Sequence, residues 1–79
     1  MKQVRFATSS RKHRMGRAHV RHVMSTIAPV AVTTSGGASG WLYVGTDDRG
    51  VALEIIAVEL EGDVLLVIHA MPRVYRRRD

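Results

Sequence analysis

The sequence predicts an α+β domain in which an N-terminal helix packs on a small antiparallel sheet. Three observations carry this expectation. Gly16, Val20, Val23, Met24 and Ile27 recur at three- and four-residue spacing and share one helical face. The second half holds three runs rich in apolar and β-branched residues, 41–46, 51–60 and 64–70, separated by short turn-forming stretches. The chain has 79 residues, 46% of them hydrophobic, which is enough for one core and so for a single domain over residues 1–79.

In chain order, residues 2–8 alternate weakly, with Val4 and Phe6 apolar between Gln3 and Arg5. They read as either a short edge strand or an extended arm. Ser9 or Ser10 offers an N-cap hydroxyl for a helix over 11–26, which Pro29 terminates. Gly16 inside that helix costs about 1 kcal/mol relative to alanine, a cost that close packing against a sheet would explain. Residues 30–33 form a short β-prone segment, and 35–40, Ser-Gly-Gly-Ala-Ser-Gly, a flexible loop. That loop has no lysine and precedes no helix, so it is not a phosphate-binding P-loop. Asp47-Asp48-Arg49-Gly50 and Glu61-Gly62-Asp63 are turns by composition. The last three strands therefore form an antiparallel meander, and a proline at 72 is expected to end the final one.

Composition excludes several classes. Without cysteine, neither disulfides nor thiolate metal sites can form within the chain. The longest apolar run, 64–68, is far too short to span a bilayer, and basic residues interrupt any candidate signal core. A cytoplasmic protein without a membrane segment is the expectation. The net charge is +5, and its distribution says more than the total. Residues 1–27 carry seven basic groups and no acid, residues 28–72 carry six acids against Arg49, and residues 73–79 carry four arginines. Two cationic ends around an acidic middle point to a polyanionic partner, RNA foremost, or to an acidic protein. The helix arginines and the terminal arginines are expected to converge on one cationic surface beside the sheet.

A helix opening at Arg11-Lys12-His13, a first hairpin made by Trp41-Leu42-Tyr43-Val44-Gly45 and Arg49-Gly50-Val51 through Val58, and a last strand at 64–70 leaving through Arg73, Arg76 and Arg77 together resemble the BrnT-type toxins. These belong to the wider RelE/ParE-like group of small bacterial ribonuclease toxins. The likeness spans most of the chain in short pieces. The Gly/Ser loop before Trp41 and the His69-Ala70-Met71-Pro72 strand end depart from the pattern. The resemblance implies RNA cleavage and a neutralising cognate antitoxin as protein partner.

Cutting RNA needs a base for the 2′-hydroxyl, an acid for the departing 5′-oxygen, and cations for the phosphoryl oxygens, with no cofactor or metal ion required. Glu54, His69 and Arg73 are the candidate catalytic residues. Glu54 lies mid-strand, where a carboxylate needs a partner or solvent. A two-residue loop, 61–62, would set Glu54 opposite His69. A three-residue loop, 61–63, would set it opposite Ala70 and send His69 to the other face. Lys12, His13, Arg14, Arg17 and Arg21 on the helix, with Tyr75, Arg76 and Arg77 at the end, are the candidate RNA contacts, arginine for phosphate and tyrosine for base stacking. His13, His19 and His22 lack a carboxylate nearby in sequence, so no metal site is expected. Trp41 and Tyr43 share one side of their strand and suit the core or an antitoxin contact. The rival reading is a non-catalytic module that binds nucleic acid or antitoxin with the same basic groups.

Overall fold

The computed structural model describes residues 3–8 and 16–73. The elements are β1 (Gln3–Phe6), α1 (Arg17–Thr26), β2 (Val30–Thr33), β3 (Ser39–Thr46), β4 (Ala52–Leu60) and β5 (Val64–Pro72). The strands form one five-stranded sheet in the order β1-β5-β4-β3-β2. The expected meander is present as β3, β4 and β5. The sheet is nevertheless mixed rather than purely antiparallel, because β1 pairs parallel to β5, with Val4 beside Leu65 and Phe6 beside Val67. Parallel neighbours need a crossover, and α1 with the following strands supplies it. The 30–33 segment is the other edge strand, paired antiparallel with β3.

Helix α1 begins later than the periodicity suggested. Gly16 is its N-cap, with extended backbone angles of φ −68° and ψ 137°, so α1 takes only Arg17–Thr26 of the expected 11–26, while residues 9–15, with the expected Ser9 or Ser10 cap, lie outside the described residues. Glycine is a poor interior helix residue and an acceptable N-cap. The first turn has no acid, and the last turn no base, to complement the helix dipole. What holds α1 is its apolar face: Val20 and Val23 are fully buried, and Met24 and Ile27 pack beside them. The glycine that permits close approach is Gly45, not Gly16. A Cβ on Gly45 would lie 3.1 Å from Ile27 Cδ1 and 3.3 Å from Val23 Cγ1, whereas one on Gly16 would meet only the His19 side chain.

Under the helix, Tyr43, Leu53, Ile55, Ala57, Leu65, Val67 and Ala70 complete the core, with Trp41, Val4 and Phe6 at its margin. Of the two places expected for them, the core or an antitoxin contact, Tyr43 is in the core and Trp41 packs at its margin. The 35–40 loop is tighter than a flexible linker. Thr34 N donates to Ala38 O at 2.8 Å and Gly37 N to Thr34 O at 2.9 Å, Gly37 takes φ 87°, and Ser39 and Gly40 already belong to β3. Strand β5 does not stop at Ala70 but continues through Met71 and Pro72. Pairing with β1 ends at Val67, so Pro72 lies where β5 is an edge, a place where sheets tolerate proline. Among the described residues, no helix is long and apolar enough to cross a membrane.

Candidate functional site

The turn after β4 has three residues, because Leu60 pairs with Val64. Gly62 and Asp63 both adopt positive φ, which glycine accepts freely and aspartate tolerates better than most residues. A regular ladder from that turn would place His69 on the helix side, away from Glu54. It does not, because the ladder carries a bulge. Ala57 pairs with Val67 but Ile56 with His69, leaving Ile68 as the extra residue. The bulge returns His69 to the face opposite the helix. Glu54 now pairs with Met71 and meets His69 on the diagonal, an outcome that neither simple register contains.

Glu54, His69 and Arg73 consequently stand together. His69 Nε2 donates to Glu54 Oε2 at 2.9 Å, and Arg73 Nη1 lies 3.8 Å from Glu54 Oε1. The Glu54 side chain is 9% exposed, that of His69 32% and that of Arg73 46%. A carboxylate so nearly buried is stable only beside cationic or hydrogen-bonding groups, and here it has both. The carboxylate also fixes the imidazole: with the proton on Nε2, the basic lone pair sits on Nδ1. This is the arrangement in which an acid orients a histidine for proton transfer.

Around the cluster, the face opposite α1 is mostly apolar. Alternation places Leu42 and Val44 of β3, Ile56 and Val58 of β4, and Leu66 of β5 there, since their neighbours in sequence point into the core. Arg5 belongs to this face too, between the core-packed Val4 and Phe6 and beside Leu66. Its place roughly 10 Å along β5 from His69 follows from strand geometry. In the sequence Arg5 is one of the seven basic groups of residues 1–27 and a polar position in the 2–8 alternation. Its position between two inward-facing apolar residues was the available signal.

The helix arginines lie elsewhere. The guanidinium groups of Arg17 and Arg21 each sit 5.5 Å from the Phe6 ring centroid, and Arg21 Nη2 donates to Val4 O at 3.3 Å. Phe6 packs on the helix side, so Arg17 and Arg21 flank one side of the sheet and Arg73 the other. The expected single cationic surface is therefore not formed by the described residues, because strand alternation assigns the two sets to opposite faces. The candidates Lys12, His13, Arg14, Tyr75, Arg76 and Arg77 lie outside the described residues.

A second polar cluster was not foreseen. Asp47, buried in the β3–β4 turn, accepts four hydrogen bonds: Oδ1 from the N–H groups of Arg49 and Val51, Oδ2 from Nε and Nη2 of Arg49. Burial pushes its carboxyl up, but the Val51 N–H and the Arg49 groups outweigh that and hold it at about 2. His19 Nδ1 donates to Asp48 Oδ1 at 2.6 Å, holding the Asp48 carboxyl below its usual value and tying α1 to the turn. His19, Asp47 and Asp48 bring three ligand-type atoms within 4.8 Å. The lone pairs of Asp47 are already taken, so this set suits a structural latch better than a cation. The Asp-Asp-Arg-Gly composition signalled the turn but not its contact with His19, which is 29 residues from Asp48 in the chain.

A scan of protein families and searches of curated proteins and of solved structures find no match to this chain.

Proposed function

We propose that the protein is the toxin of a toxin–antitoxin pair, an endoribonuclease that needs no metal ion and acts on RNA in the cytoplasm. The observation that carries this reading is the Glu54–His69–Arg73 cluster on one sheet face, with its 2.9 Å carboxylate–imidazole hydrogen bond. The resemblance of the sequence to BrnT-type toxins and the place of Arg5 on the same sheet face support it.

The chemistry follows from the geometry. His69 takes the proton of an RNA 2′-hydroxyl, and the 2′-oxygen bonds the adjacent phosphorus. The bond from phosphorus to the 5′-oxygen breaks, water at the exposed rim of the site protonates that oxygen, and the hydroxide so formed takes back the proton from the His69 imidazolium. The products are a 2′,3′-cyclic phosphate and a 5′-hydroxyl. Glu54 stabilises the imidazolium as it forms, and Arg73 balances charge rising on the phosphoryl oxygens. Arg5 holds the backbone further along the same face.

Induction in a bacterial host tests the proposal. Growth arrest with fragmented transcripts is expected for the wild type, and neither for His69→Ala. Intact RNA under both would reject the enzyme. One observation favours a second reading: Glu54 is nearly buried, hydrogen-bonded by His69 and near the Arg73 guanidinium, as in a purely structural polar network. A non-catalytic module would bind RNA with steep salt dependence and leave it whole.

A further inference from the structure

The bulge that delivers His69 to the open face also builds a groove beside it. The groove, about 520 Å³, is lined by Leu42, Ile56 and Ile68 as floor, His69 at one end, and Val32 with Thr33–Ser35 at the other. Its floor follows one cross-strand row, His69 beside Ile56 beside Leu42. From β5 to β2 the row spans three strand spacings, roughly 14 Å. Its volume falls in the range of small-molecule sites, and its lining is an apolar bed with a few polar groups at the ends.

We infer that this groove is a nucleobase subsite, which seats the base of the nucleotide whose phosphate lies at His69 and Arg73. The inference rests on the ribonuclease reading and deepens it. Three features select a base over other occupants. The groove is continuous with His69, so a ligand whose phosphate sits at the cluster has its base within reach of Ile56 and Leu42. None of the lining residues is a carboxylate, so nothing there repels a nucleotide. An acidic protein segment would want cations along the lining, and the floor is aliphatic. The bed holds the flat base by apolar contact, and the far rim reads its edge. Thr34 Oγ1 already accepts from Ala38 N, closing the turn, and Thr33 alternates to the helix side with Ser39 and Trp41, which leaves the reading to Ser35. RNA is specifically recognised in this way, by single-stranded bases splayed out and hydrogen-bonded at their edges.

The test uses the full chain, isotope-labelled, with the four nucleoside 3′-monophosphates as probes, alongside cleavage of a random single-stranded RNA pool with the cut ends sequenced. Expected are amide shifts at residues 33–35, 42, 56 and 68 together with His69, and one base enriched next to the cut. Ser35→Ala should lower that enrichment by about five- to tenfold, the worth of one hydrogen bond, while RNA is still cut. Leu42→Trp, which fills the groove, should abolish the shifts at 33–35 with a dispersed, folded spectrum retained. Shifts confined to His69 and Arg73, or RNA cut with unchanged base enrichment in Ser35→Ala, would overturn the subsite. Groove shifts produced by an acidic peptide and not by nucleotides would overturn it as well. Nucleotide shifts in the groove with RNA left intact would reject the ribonuclease and keep the base site.

Discussion

Cutting the Glu54–His69 link should cost a measurable and mutual amount of stability. A hydrogen bond to a charged group contributes about 1.5–3 kcal/mol, while an exposed ion pair contributes about 0–1 kcal/mol. The Glu54 side chain is nearly buried, but His69 is about one third exposed, so solvent screens part of the attraction. The coupling should therefore fall between these limits, at about 1–2 kcal/mol. A double-mutant cycle measures it: wild type, Glu54→Ala, His69→Ala and the double variant, unfolded in urea and followed by Trp41 fluorescence. In a domain of this size each kcal/mol also moves the melting temperature by roughly 4–8 °C, an independent check. Independent sites add to within about 0.3–0.5 kcal/mol. A coupling below that range would mean that the two side chains do not meet in solution, and the bulged register would be wrong.

Three further outcomes are expected. Val23→Ala should destabilise by about 2–3 kcal/mol, from two lost methyl groups and the cavity left under α1, measured by the same urea titration. The Asp47 carboxyl is lowered from 3.8 to about 2, so its stabilisation is complete above pH 3.8 and is lost as pH falls through about 2. Asp47→Asn, compared with wild type by circular dichroism, should be less stable at neutral pH and lose less stability across that acid window. If RNA runs over the open face, Arg5→Gln should reduce the slope of log K against log salt by about 0.7, and Arg21→Gln should leave it unchanged. The reverse result would move the RNA to the helix side.

Much of the fold was legible because local physics wrote it. Alternating and continuous apolar runs marked β3, β4 and β5, and glycine-bearing turns marked their joins. Two features were not local. Whether residues 3–6 form a strand at all depends on β5 offering a parallel edge, and nothing within Gln3–Phe6 encodes that neighbour. The helix start was misread because Val20, Val23 and Met24 keep their period back to Gly16, while the backbone at Gly16 is already extended.

The site divides in the same way. Glu54, His69 and Arg73 were legible as residue types that need partners in or beside an apolar sheet. Their meeting was not, because the Ile68 bulge carries no glycine or proline to announce it. One extra residue decides which face His69 occupies. The separation of Arg17 and Arg21 from Arg73 escaped notice because charge clusters in sequence say nothing of sheet faces.

The central claim is that the His69 imidazole, steadied by Glu54, makes this sheet face an RNA-cutting site. The direct measurement is incubation of the purified protein with single-stranded RNA and excess chelator, with the chemistry of the new 3′ ends determined. Cyclic phosphate ends from the wild type, and their loss in His69→Ala, are the predicted result. Equal cleavage by both proteins, or none by either, would contradict it.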